Sequence, residues 1–298
     1  MIEFPVSGVE TYWWLPALVA FVISVFTSMG GLSGAFLILP FQVSILGFTG
    51  PAVSPTNLVY NIIAIPGGVL RFWREKRMVW PLTWVIIIGT LPGVFIGAFL
   101  RIKYLPDPSA FKLFAGGVLL YIGIRLARDI INKREKKTGA FELDKFIVEN
   151  SKITMSHVSF DFNGENYTAS TPQLFILSLL VGIVGGTYGI GGGAIIAPFL
   201  VAISGLPVYT VAGACLMATF ITSIAGVLYY TLLASAYADS SMTIRPDWFL
   251  GAMFGLGGAA GIYVGALLQK YFSARIIKII LALCLLFVAG KYIIGYFT

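Results

Sequence analysis

Glycine offers the first usable chemistry in this chain. Residues 185–199 read GGTYGIGGGAIIAPF, a glycine cluster inside a long apolar run. Glycine costs a helix more backbone entropy than alanine and has no side chain to pack, so the cluster predicts a break. The apolar residues after it resume a helix. A second copy, GGLSGAFLILPF, occupies residues 30–41. The copies align position by position: Gly31 with Gly189, Leu32 with Ile190, Gly34 with Gly192, Pro40 with Pro198, Phe41 with Phe199. Each second helix piece begins with N–H groups that lack helical partners and with the positive end of its dipole. These are the amides of Ser33, Gly34 and Ala35, and of Gly191, Gly192 and Gly193. Such ends attract anions, and glycine lets a ligand come close to the backbone. Two interrupted segments at matching places in two halves of a chain point to a transporter's binding site.

Polar residues flank the breaks at matched positions. Asn57 and Asn61 share one helix face, and Cys215 and Thr219 occupy the equivalent places in the second half, with Thr56 and Thr222 nearby. Polar side chains at membrane depth face the protein interior or a water-filled path. For the asparagines, substrate contact and interhelical hydrogen bonding both stay open. Cys215 reads as a small packing residue ahead of a functional thiol, and Cys284, with no polar company, as core. The candidate substrate site is therefore Gly31, Ser33, Gly34, Ala35, Asn57, Asn61, Gly189, Gly191, Gly192, Gly193, Cys215 and Thr219. No catalytic residue, metal or cofactor is expected.

The elements that must hold these residues lie in a bilayer. Of 298 residues, 58% are hydrophobic and 11% charged, and the mean hydropathy is +0.89. A soluble globular protein carries about 25% charged residues. The apolar runs are long, not the alternating segments of about ten residues that make a barrel. The net charge of +7 does not indicate nucleic acid, because the basic residues cluster in short loops where they set topology. The two cysteines lie in apolar segments and in no metal-ligand spacing. The start, MIEFPVSGVE, has no basic n-region, so the first apolar run is expected to remain in the mature protein.

Residues 14–46 form one apolar run interrupted at 29–33. A straight helix of about 33 residues would span about 50 Å against a hydrocarbon core of about 30 Å, so it bends or turns back. Further runs cover 52–70, 81–100 and 111–131. The second half repeats the order, with Thr171 as N-cap, Pro172 starting a helix, a broken run to about 204, then 208–233, 248–268 and 276–296. The basic stretches 71–77, 125–137 and 270–278 belong in the cytoplasm. They fit there only if each broken run enters and returns on the same side. The N- and C-termini, the 47–51 turn and the Asp239 loop then lie outside, and the 205–207 turn and the insert inside. Arg101 and Lys103 fit least well, since this arrangement puts them outside.

The expected fold is an all-α polytopic membrane protein of two inverted repeats, 1–131 and 172–298, each a re-entrant broken hairpin plus three spans. Gly89, Gly93 and Gly97 recur as Gly257, Gly261 and Gly265, and glycines at every fourth position make a helix face another backbone can approach. Between the repeats, 132–171 is a cytoplasmic insert. Within it VSFDFNGENYTAS reads as a β-hairpin turning at Asn163-Gly164. It holds the sole histidine, His157, which reads as a solvated surface residue.

The spans carry no Asp or Glu away from their ends. A proton path through buried carboxylates is disfavoured, and an anion's charge falls to amides, hydroxyls and helix ends. Gly189-Ile-Gly191-Gly-Gly-Ala194 fits a loose dinucleotide fingerprint but lacks its strand and its acidic partner.

The doubled glycine–proline motif and the RFWREKR loop after the second apolar run resemble the TauE/SafE family, the sulfite exporter or toluene sulfonate uptake permease family. The resemblance covers most of the chain. It implies an inner-membrane secondary transporter of sulfite or an organosulfonate such as sulfoacetate. Ser33 stands where the second motif has Gly191, so the two half-sites need not contribute equally. Expected partners are the lipid bilayer, a small anion and a coupling ion, sodium or a proton, and a homodimer is compatible. The alternatives are a passive anion channel, a transporter of reduced sulfur species through Cys215, and a receptor or assembly protein working through its insert.

Overall fold

A computed structural model describes residues 1–29, 32–131, 148–162, 164–237, 242–268, 271 and 274–298. The chain opens with a hairpin of β1 (Ile2–Phe4) and β2 (Val9–Thr11), turned at Gly8 with φ +65°. Sequence patterning did not suggest these short strands. Then follow α1 (Leu15–Met29), α2 (Ala35–Ser44), α3 (Val53–Ala64), α4 (Pro66–Arg74), α5 (Trp80–Lys103) and α6 (Pro108–Ile131). The first apolar run is thus two short helices parted by the glycine break. Pro66 divides the second run into α3 and α4.

The insert contributes β3 (Val148–Ile153), β4 (His157–Phe162) and β5 (Glu165–Ser170). β4 and β5 pair antiparallel from His157 with Ser170 to Phe162 with Glu165. Gly164 takes φ +77°, as a tight turn requires; Asn163 and residues 132–147 lie outside the described residues. β3 extends the expected hairpin to a three-stranded sheet centred on β4. Asp161 of β4 accepts from Asn166 Nδ2 of β5 and Asn150 Nδ2 of β3, both at 2.7 Å, and so ties the three strands. These amide donors hold its carboxyl below the ordinary range. A depressed folded pKa stabilises above the unfolded pKa and is lost as pH falls through the folded value. Acidification below about pH 4 is therefore expected to lower the protection of the β3–β5 amides, read by hydrogen exchange and mass spectrometry as the rate relative to the intrinsic rate at each pH. Asp161→Asn should flatten that dependence.

The second half comprises α7 (Thr171–Tyr188), α8 (Gly193–Ile203), α9 (Val208–Ala236), α10 (Trp248–Leu268) and α11 (Ala274–Phe297). Ser170, not Thr171, takes the capping position; the Thr171 hydroxyl instead donates to Thr154 O at 2.9 Å. Among the described residues seven helical segments are long and apolar enough to cross a membrane, and α1 and α2 are shorter apolar helices. Large apolar side chains such as Leu232, Leu283 and Phe287 point outward, whereas Gln42, Asn57, Asn61 and Thr90 are fully buried. That inversion is the signature of a lipid-solvated protein. It also places Cys284 on an exposed face of α11, not in the core: in lipid, an apolar setting does not mean an interior one.

The main helix contacts join the two halves. α5 packs along α7, α1 along α10, and α6 along α11, while α3 meets α10 and α9, and α9 meets α5. The glycine stripes make the closest of these approaches. A Cβ on Gly93 would lie 2.9 Å from Gly182 Cα, and one on Gly97 2.7 Å from Thr187 N. On the matched pair, a Cβ on Gly257 would lie 2.6 Å from Ala17 C, and one on Gly261 2.9 Å from Ser24 Cβ. The helices therefore assemble as two exchanged bundles, α1–α3–α10 and α7–α9–α5, with α6 and α11 paired beside them.

One end of the assembly gathers the N-terminal hairpin and the 47–51, 104–107 and 242–247 segments. Ser7 N and Oγ donate to Asp247 Oδ2, and Ala52 N donates to Thr243 O. Arg101 is fully buried there. Its guanidinium donates to Thr49 O, Gly50 O and Leu105 O and stacks over the Phe111 ring at 3.7 Å. It acts as a clamp between loops, so it is not a free loop charge of the kind that sets topology. Lys103 Nζ lies 5.3 Å from the Phe99 ring centre. At the other end Lys76 O accepts from Val148 N of β3, beside the Arg77–Glu75 pair. Asp239 and Lys270 lie outside the described residues.

Candidate functional site

The first break is closed by Leu32 N–H, which donates to Thr27 O at 2.8 Å. Ser33 Oγ accepts from Ala35 N–H at 3.3 Å. Gly34 lies under a buried pair, Tyr60 Oη and Ser24 Oγ, 3.0 Å apart, and a Cβ there would strike both. Gly31 lies outside the described residues. In the second break α7 ends at Tyr188, and the N–H groups of Gly189 and Ile190 both return to Gly185 O. Gly189 and Gly191 take φ +90° and +75°, a region where any side chain is strained. Gly192 N–H donates to Thr222 Oγ1 at 3.2 Å. Gly193 rests on Cys215 O and on Thr219, whose Oγ1 would lie 2.6 Å from an added Cβ.

One side chain joins the breaks. Asn57 Nδ2 donates to Ala35 O at 3.1 Å, in the first turn of α2, and to Gly189 O at 3.0 Å. Asn61 Nδ2 donates to Ile190 O at 3.0 Å. Tyr188 adds a second link, donating from its hydroxyl to Phe36 O at 2.9 Å. The described candidates therefore gather around one buried region, in which Asn57 ties Ala35 at the start of α2 to Gly189 at the end of α7. Both asparagines make interhelical hydrogen bonds, and their amide nitrogens are occupied by carbonyls of the break. Two helix-start amides, those of Ala35 and Gly192, are held by protein hydroxyls.

Tyr188, Tyr60 and Ser24 were not among the candidates, and neither were three further participants. Gln42 Nε2 donates to Asn57 Oδ1 at 3.4 Å. Ser223 Oγ would lie 3.0 Å from a Cβ on Gly191. Thr90 covers Gly192, with its Cγ2 2.5 Å from an added Cβ. Gln42 was detectable, as the one carboxamide in the apolar run FLILPFQVS. Ser223 and Thr90 give no such signal, since hydroxyls in apolar helices commonly bond their own backbone. Thr90 Oγ1 does so, on Ile86 O at 2.6 Å. Among the described residues no group of three His, Cys, Asp or Glu could hold a metal ion.

Broken apolar helices meeting inside a multi-pass helical bundle define an integral membrane protein of the transporter class. The chain belongs to the family described as sulfite exporter TauE/SafE, whose model matches residues 16–292. It is similar to the "Probable membrane transporter protein YjnA" of Bacillus subtilis (strain 168), 24% identical over 273 residues covering 89% of this chain and 93% of that protein. No solved structure matches it. Membership makes the chain a membrane transporter and not an enzyme.

Proposed function

We propose that the protein is a secondary transporter of a small oxyanion, sulfite or an organosulfonate of the sulfoacetate kind, in the cell inner membrane. The anion binds near the midplane between the helix starts at Ser33–Gly34–Ala35 and Gly191–Gly192–Gly193. The reading rests on one observation: the Asn57 carboxamide spans both breaks, so the two electropositive ends share one buried region. In this reading the repeats, 1–131 and 172–298, are inverted, the termini lie outside and the insert, 132–171, is cytoplasmic. The exchanged packing suggests which bodies move. Glycine-locked pairs resist separation, so α1–α3–α10 would rock against α7–α9–α5, in place of one sequence half against the other. A passive anion channel would use the same site. Purified protein in proteoliposomes is expected to accumulate radiolabelled sulfite above its external concentration when an ion gradient is imposed. Flux that only equilibrates the anion would favour the channel, and no flux of any sulfur oxyanion would overturn the proposal.

A further inference from the structure

The geometry points to a site for a monovalent cation, sodium first, formed beside the second break by the buried oxygens of Asn61, Gln42 and Ser223. The inference rests on the transport reading above and names its coupling ion.

Backbone carbonyls fix how the carboxamides face. Asn61 must present Nδ2 to Ile190 O, which turns its Oδ1 away. Asn57 must present Nδ2 to Ala35 O and Gly189 O, which turns its Oδ1 to Gln42 Nε2 and leaves Gln42 Oε1 facing elsewhere. Reversing any of the three would set oxygen against oxygen or nitrogen against nitrogen. Asn61 Oδ1, Gln42 Oε1 and Ser223 Oγ are all buried, and none meets a hydrogen-bond partner in the protein. Buried polar groups are ordinarily satisfied, so oxygens that no protein donor reaches are open to a ligand.

Their positions are related. Asn57, which carries Gln42, holds Gly189; Asn61 holds Ile190; Ser223 lies against Gly191. The unmet oxygens of Asn61 and Ser223 thus belong to side chains against the consecutive residues Ile190 and Gly191, and that of Gln42 to a side chain joined to the same segment through Asn57. An anion is repelled by carboxamide oxygens, whereas a cation is coordinated by them. The donors are neutral, and the buried carboxylate of Asp247 is engaged elsewhere, by Ser7 and Leu250. Divalent ions recruit carboxylates, while neutral carbonyl and hydroxyl oxygens at a broken helix suit a singly charged ion. The amides of Gly191, Gly192 and Gly193 follow directly on the chain. A cation on the oxygens and an anion on the amides would offset each other's charge, so each would raise the other's affinity.

The test is sulfite uptake into proteoliposomes, with external sodium chloride replaced stepwise by choline chloride at constant ionic strength. The melting temperature of the purified protein is followed in the same two salts. Uptake at least tenfold faster in sodium, with a thermal shift in sodium chloride but not in choline chloride, is the expected result. Ser223→Ala removes a hydroxyl with no partner in the protein and should raise the half-saturating sodium concentration at least tenfold. Gly117→Leu, on an open face of α6, should titrate as the wild type does. Equal uptake in choline with no sodium-specific shift overturns the cation site and leaves the transporter standing. A sodium-specific shift in a protein that moves no sulfite upholds the site and overturns the sulfite reading. A Ser223→Ala protein that titrates as wild type removes Ser223 from the site. If that variant does not fold, the wild-type titration decides.

Discussion

Replacing Asn57 with leucine is expected to cut sulfite uptake at least tenfold, the largest effect of any side chain in the site. The substitution removes both donors that hold Ala35 O and Gly189 O and the acceptor for Gln42. Each buried group left unpaired costs about 1–3 kcal/mol, and about 1.4 kcal/mol corresponds to a tenfold change in an equilibrium. Gly189 O and Gln42 Nε2 lose their partner, while Ala35 O keeps its place in the first turn of α2, and these losses are enough to loosen the link between the breaks. The check is uptake per reconstituted molecule alongside the elution profile of the detergent-solubilised protein. Uptake within twofold of wild type would show that the breaks need no bridge. If Asn57→Leu is lost from the membrane, Asn61→Leu, which breaks only the bond to Ile190 O, is expected to lower uptake in the same direction.

Gly93→Leu and Gly261→Leu are expected to remove most of the folded protein from the membrane fraction. A Cβ on Gly93 would press on Leu179 O and lie 2.9 Å from Gly182 Cα; one on Gly261 would press on Phe21 O. These neighbours are backbone, which cannot rotate aside, so the helices must separate. Overpacking typically costs about 1–3 kcal/mol and more where nothing can yield. The equivalent change at Gly290, with nothing within 4 Å, should leave the melting temperature near wild type. Detergent-resistant yield and melting temperature read the difference. Equal yields for Gly93→Leu and Gly290→Leu would mean that the stripes do not set the helix pairs.

The features legible in sequence were those carried by local chemistry. Glycine clusters located both breaks because backbone entropy and missing side chains act where they stand. The spacing of Gly89, Gly93 and Gly97 announced a close-packed face, but not that the partner would be α7 of the other half. That choice depends on complementary surfaces far apart in the chain. Charge marked the basic stretch 71–77 but could not tell that Arg101 is held at the end of α5 by three carbonyls and an aromatic ring. Asn57 and Asn61 stood out as carboxamides in apolar helices, yet their partners on Ala35, Gly189 and Ile190 came from folding. Gln42 is visible by the same rule, as a carboxamide in the apolar run FLILPFQVS. Cys284 went astray because hydrophobicity does not separate core from lipid-facing positions. The strands β1, β2 and β3 are short and only partly alternating, so their pairing depends on neighbours and not on pattern.

The central claim is that two broken helices present one anion site. Selenite, a heavier analogue of sulfite, allows it to be located directly by anomalous scattering from a crystal of the wild-type protein. The account predicts one anomalous peak within hydrogen-bonding distance of the helix-start amides not held by hydroxyls, those of Ser33 and Gly34 and of Gly191 and Gly193. A peak elsewhere, or none in protein that transports sulfite, would contradict it.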